Sequence, residues 1–241
     1  MATTQDEEGS PMALPDVMKE DDILGPSLLD VMQNMSLSSL KATFYSRSCF
    51  VGTYSSTDVD GPKKIQDFFV KTLQSLSCDA SGLVFMLDGA LVVLIESTAD
   101  HFTDICVALH DFPNVSDVKV VATCDDNSKR LIPSLFFKKL SISKPNDANE
   151  SDVPQAASTM FFNLVTLARR LGTQPAANIK KSLAAPSNSD QVLFPSAELV
   201  QLVAKSPELM TLDEYLTIYR DPITVELESE RVWPIHPLIS Y

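Results

Sequence analysis

His101 and His110 lie nine residues apart in a stretch whose apolar residues recur with helical spacing, the place where two imidazoles could share a metal or a proton. Nine residues make roughly two and a half helical turns, which sets the rings on opposite sides and removes a shared metal face. Glu96 ends an apolar run and could act as a general base, yet no nucleophile or perturbing partner is visible beside it. It reads instead as a strand-end carboxylate that caps the following helix, and Asp125 and Asp126, ahead of a turn, read the same way. Cys49, Cys78, Cys106 and Cys124 show no Cys-x-x-Cys spacing, so a structural zinc site has no ligand set, and reduced, mostly buried thiols are expected. Gly82 and Gly89 are isolated among only seven glycines, and no phosphate-cradling loop is present. The residues point to no catalytic group, no metal and no cofactor.

Composition narrows the partners. The chain has 241 residues, 44% of them hydrophobic, and a formal net charge of −13. Nucleic-acid binding needs a basic surface to neutralise phosphates, and a polybasic membrane patch needs the same sign, so both are disfavoured. Part of the acidity is local: residues 1–22 hold seven acidic side chains against Lys19. Residues 1–25 therefore read as a solvated acidic tail. No signal peptide is expected, and the sequons at Asn34, Asn114 and Asn149 read as chance matches in a cytoplasmic protein. No apolar run approaches the length of a membrane span.

The elements that must position any site follow from periodicity. Leu28, Leu29, Val31 and Met32 suggest a short amphipathic helix, and residues 40–50 read as a strand. Pro62 opens a helix whose buried face is Ile65, Phe68, Phe69, Leu73 and Leu76. Two apolar runs, 81–87 and 90–97, flank Asp88-Gly89, a strong signal for a hairpin with a primed turn. A second helix carries Phe102, Ile105, Cys106 and Leu109; strands at 118–123 and 135–142 follow. This β-α-β-β-α-β order with an extra strand is α+β and ferredoxin-like. Its hairpin strands are apolar at nearly every position, as strands buried on both faces are. One sheet face goes to the two helices, and residues C-terminal to the strands are expected to cover the other. After a polar linker at 143–152, a strong helix is expected with Phe161, Leu164, Val165, Ala168 and Leu171 on one side and Gly172 as its stop. Further helices are expected at 175–185, after Ser196, and after a capping box at Thr211 and Glu214, with a loop at 186–190. The domain boundaries so read are a sheet domain at 26–145, a helical extension at 146–220 and an extended tail at 221–241.

Phe44-Tyr45-Ser46, Ser81-Gly82, Asp88-Gly89, Leu94-Ile95-Glu96 and Asp117-Val118 stand where the BLUF family has its fold-determining residues. Over residues 40–142 the chain resembles that family, blue-light sensors holding a flavin between two helices of a ferredoxin-like fold. The functional positions depart from it. The family's first-strand tyrosine aligns with Phe44, its flavin-anchoring asparagine with Ser75 and its switching glutamine with Val93. Its fifth-strand tryptophan or methionine falls near Leu135 and Phe137. The resemblance thus implies a fold kept and a flavin abandoned. With its acidic N-terminus and the segment from Ser206-Pro207 to Trp233-Pro234, the whole chain is similar to the testis-expressed BLUF-domain proteins of animals. That implies a structural, non-catalytic component of a ciliary or sperm-flagellar axoneme, with axonemal proteins as partners.

The tail offers the means of docking. Trp233, Pro234, Ile239 and Tyr241 combine aromatic and apolar anchors in an extended segment able to lie along a groove or sheet edge. Packing of Trp233 on its own domain is the equal alternative. Two other readings remain: a sensor or adaptor holding a flavin or another apolar ligand between the core helices near Phe44, Phe69 and Val93, and a homodimer formed through an exposed sheet face.

Overall fold

The computed structural model describes residues 43–140 and 153–220. The acidic tail, the helix expected at 28–32, the linker and the tail from 221 lie outside the described residues. The elements run β1 (Tyr45–Thr53), α1 (Gly61–Ser75), β2 (Ser81–Leu87), β3 (Ala90–Ser97), α2 (Ala99–His110), β4 (Ser116–Asn127) and β5 (Leu135–Lys139). The helices α3 (Val153–Gly172), α4 (Ala176–Ala184), α5 (Asn188–Gln191), α6 (Ala197–Lys205) and α7 (Leu212–Tyr219) complete the chain.

The five strands form one sheet in the order β4-β1-β3-β2-β5. The first four make the ferredoxin-like antiparallel arrangement, and β5 adds a parallel edge against β2, with Val84 opposite Phe137. Every residue of β2 and β3 is buried, which accounts for their unbroken apolar run. Alternation then divides them between two cores. Phe50, Val84, Met86, Leu91, Val93 and Ile95 face α1 and α2. Cys49, Val51, Leu83, Phe85, Val92 and Leu94 face α3, α4 and α6. The fold is a three-layer α+β sandwich with a ferredoxin-like sheet and a helical C-terminal extension.

Several local expectations change. β1 begins at Tyr45 and runs on to Thr53, so Phe44 lies ahead of the strand. β4 extends past Thr123 to Asn127 because Cys124 and Asn127 pair with Arg47 and Tyr45. Of the turn residues only Gly89 has positive φ (68°), so the hairpin turn is not a primed one; the Gln201 amide closes over it, donating to the Asp88 carbonyl at 2.9 Å. The buried stripe of α3 is Val153, Ala157, Met160, Leu164, Leu167, Ala168 and Leu171, and it leaves Phe161 and Val165 half-buried at its margin. Gly172 is the last residue of that helix, pressed against the Leu131 carbonyl. A single helical turn, α5, occupies the loop expected at 186–190.

The largest departure concerns α7, which does not join the other C-terminal helices. Residues 209–211 run along the β4 edge, with the Val120 amide donating to the Met210 carbonyl at 2.9 Å and a bridge between Lys119 and Thr211. This covers an edge that would otherwise present unpaired backbone groups. It also carries the chain to the first face, where Leu212, Tyr215 and Leu216 join α2.

Candidate functional site

The residues aligned with flavin-contacting positions do not converge. Phe44 is 47% exposed at the mouth of a hollow beside β1. Val93 is buried in mid-sheet opposite Phe50 and Val84. Ser75 ends α1 with its side chain in solvent, its hydroxyl donating to the Thr72 carbonyl at 2.8 Å. The gap between α1 and α2 is closed by Phe68 and Phe112, whose rings stack with centroids 4.1 Å apart. Phe68 also meets Phe69 edge-on at 5.2 Å, and Phe69 leans on Phe137 of β5 at 6.2 Å. Val93 offers no hydrogen bond and the Ser75 hydroxyl is spent on its own helix, so neither aligned position supplies a polar anchor for a flavin.

Glu96 is not a cap. It is interior to β3, and its carboxylate takes Arg47 Nε at 2.7 Å, Ser81 Oγ at 3.1 Å and the Leu131 amide at 2.9 and 3.1 Å. With its oxygens so occupied it has no lone pair aimed at a substrate, and it acts as a latch for the β4–β5 connection. Next to it, Arg130 bonds the Asp79 carboxylate at 2.9 Å and lies 4.5 Å over the Tyr45 ring.

The histidines stay apart. His110 contacts Asp111 at 3.0 Å and Asp213 of α7 at 3.5 Å, on the surface. Among the described residues no group of His, Cys, Asp or Glu is arranged to hold a metal ion. All four cysteines are free; burial pushes the thiols of Cys49 and Cys106 up to about 12, while Cys124 is exposed. No helix among the described residues is long and apolar enough to cross a membrane. Trp233, Pro234, Ile239 and Tyr241 lie outside the described residues.

What the structure assembles is a different site, at the Phe44 end of the sheet. Phe44, Phe102, Tyr215 and Tyr219 surround a hollow of about 190 Å³, bordered by Asp125 and Asp126. Both carboxylates belong to the overrun of β4, not to a capping turn, and Asp126 has a φ of 57°. Tyr215 and Tyr219 sit one turn apart on α7 with stacked rings, centroids 4.4 Å apart. Sequence reasoning missed this cluster; the aromatic pair at a four-residue spacing was its one local signal. The Tyr215 hydroxyl is pushed up to about 12, first by burial, then by the Cys106 and Asp125 charges.

A family model for testis-expressed protein 47 matches residues 46–221, the sheet and the C-terminal helices together. No curated protein matches the chain. Among solved structures it is similar to the ground state of BlsA, at 12% identity over 65% of this chain and 98% of that one, with a TM-score of 0.36. The BLUF domain of BlrP1 is similar at 12% identity and a TM-score of 0.34, over 41% of this chain and 65% of that one. A bacterial light-regulated adenylyl cyclase is similar at 15% identity and a TM-score of 0.35, over 59% of this chain and 40% of that one. The fold assignment rests on strand order and register and not on these likenesses.

Proposed function

The chain belongs to the testis-expressed protein 47 family, and on that premise we propose that it is a non-catalytic interaction protein of the ciliary or sperm-flagellar axoneme. In this reading a BLUF-like fold without flavin chemistry serves as a docking module, and the partners are axonemal proteins. The observation that carries the non-sensor part is the lack of a polar anchor for a flavin at Val93 and at Ser75, whose hydroxyl is spent on its own helix. Support for a non-catalytic role comes from Glu96, the one buried carboxylate among the described residues, whose oxygens are committed to Arg47, Ser81 and Leu131. The cellular location rests on the family's testis expression. The proposed docking segment is the tail bearing Trp233, Pro234, Ile239 and Tyr241.

The test is to image the endogenous protein in sperm or ciliated cells before and after detergent and salt extraction. Retention in the extracted axoneme, lost when residues 221–241 are deleted, is the expected result. A diffuse signal fully released by detergent would overturn the axonemal reading. Purified protein that takes up riboflavin phosphate with a shifted visible spectrum would overturn the non-sensor part.

A further inference from the structure

The hollow at the Phe44 end of the sheet combines exposed aromatic side chains with carboxylates that have no partner among the described residues. Phe44 is 47% and Tyr219 61% exposed, unusual for large rings that have a core within reach. Behind them Tyr215 and Phe102 are buried, so the back wall is fixed. Asp125 and Asp126 have no side-chain hydrogen bond or ion pair among the described residues. Asp125 lines the same hollow as Tyr215 and Tyr219, which puts its charge beside the rings. Ser46 lies in the lining, and its register partner Ser97 buries a hydroxyl that has no hydrogen-bond partner among the described residues.

We propose that this hollow binds an organic ammonium head group, the free or methylated amine at the end of a lysine side chain on a partner protein. An aromatic face attracts a cation through its quadrupole, and alkylammonium groups suit such cages because they surrender little hydration. Two carboxylates supply the matching charge, and a chain with a net charge of −13 concentrates cations around it. At about 190 Å³ the hollow is smaller than the several hundred cubic ångströms a drug-sized ligand needs. It takes a head group, and its open side leaves room for the stem that carries it. The start of α2 at Ala99 also borders the hollow and by itself favours an anion. Asp100 in the first turn and the two strand carboxylates reverse that local sign. The proposal holds whether or not the protein is axonemal.

The experiment titrates the full ¹⁵N-labelled chain separately with choline, with 3,3-dimethyl-1-butanol, with inorganic phosphate and with a short peptide bearing trimethyllysine. The alcohol has the shape of choline without its charge. Choline is expected to shift the amide signals of residues 44–46, 125–127 and 215–219 and to bind about tenfold or more tightly than the alcohol. The peptide should bind more tightly than choline. Tyr219→Leu, at an exposed position, should weaken choline about two- to fivefold, and the double change Asp125→Asn with Asp126→Asn should weaken it further while leaving spectral dispersion intact. Equal binding of choline and the alcohol, no shift from choline, or a response to phosphate in its place would overturn the proposal. Choline binding more tightly than the peptide would overturn the assignment to a partner's side chain.

Discussion

Arg47 Nε lies 2.7 Å from Glu96 Oε1 across the β1–β3 ladder, with the carboxylate 1% exposed. The pair ties three things together: the central strands, the Ser81 start of β2 and the backbone at Leu131. A buried ion pair is modest as a net stabiliser, but removing one partner leaves an unpaired charge in a poorly solvated place. Glu96→Ala should therefore destabilise the fold by about 3–5 kcal/mol in urea unfolding. Replacing both partners with apolar residues, Arg47→Met and Glu96→Leu, should recover a good part of that loss. A single-variant loss under about 1 kcal/mol would show that water reaches the site and that the latch is weak.

Two glycines mark places where backbones touch. A Cβ on Gly82 would stand 2.0 Å from the Leu94 carbonyl oxygen, at a φ of 148° that side chains avoid. One on Gly172 would stand 1.8 Å from the Leu131 carbonyl oxygen, where α3 meets the latched loop. Both contacts are with backbone, which cannot swing aside. Gly82→Ala should cost about 3 kcal/mol or more, since it strains the centre of the sheet. Gly172→Ala should also destabilise, and its effect should overlap with that of Glu96→Ala because both act on the same loop. Simple addition of the two losses would disprove that coupling.

How much of this could be read from the chain depends on how local each cause is. The hairpin, α1 and α2 were legible because period and turn chemistry sit within a few residues of one another, and the continuous apolar hairpin announced a sheet buried on both faces. The β4 overrun was not legible: Cys124-Asp125-Asp126-Asn127 has a turn's composition and is held to β1 through Cys124 and Asn127, with an irregularity between them where Asp126 takes a positive φ. The hollow was illegible for the same reason, since Phe44, Asp125 and Tyr219 come from three distant segments. They meet only because the 209–211 segment leads α7 over the sheet edge to the first face. From sequence, Tyr215 and Tyr219 looked like any apolar side of a capped helix. The resemblance aligned Phe44, Ser75 and Val93 with the flavin-contacting positions, but gave no sign that Phe68 and Phe112 stack between α1 and the end of α2.

The thiols should react in an order set by burial. Cys49 and Cys106 are held near 12 by desolvation, so at pH 8 their thiolate fraction is about one in ten thousand. Half-buried Cys78 is also raised, first by burial and then by Asp79, and Cys124 is exposed. Iodoacetamide followed by mass spectrometry should give one fast adduct at Cys124 and a slower one at Cys78. The remaining two adducts should appear only in denaturant. Fast labelling of Cys106 in the native protein would mean that α2 lifts from the sheet on the labelling timescale.

The capping box that starts α7 makes the positioning of Tyr215 and Tyr219 sensitive to acid. Thr211 accepts from the Glu214 amide at 3.1 Å, and the Glu214 carboxylate accepts from the Thr211 amide at 2.8 Å. That backbone bond, with the one from the Thr211 hydroxyl, holds the Glu214 carboxyl below the usual range. A carboxyl lowered by folding contributes stability above its unfolded value, about 4.3 for glutamate. The contribution is lost as pH falls through the lowered folded value. Thr211→Ala should cost about 1 kcal/mol at pH 7. The gap between wild type and Glu214→Gln should be constant above about pH 5 and shrink below it. Thermal melts of the three proteins from pH 7 down to pH 3 provide the check. A gap that stays constant down to pH 3 would show that the carboxylate is not bonded to the helix start in solution, and α7 would then owe its place to the packing of Leu212, Tyr215 and Leu216 and to the 209–211 contact with the β4 edge.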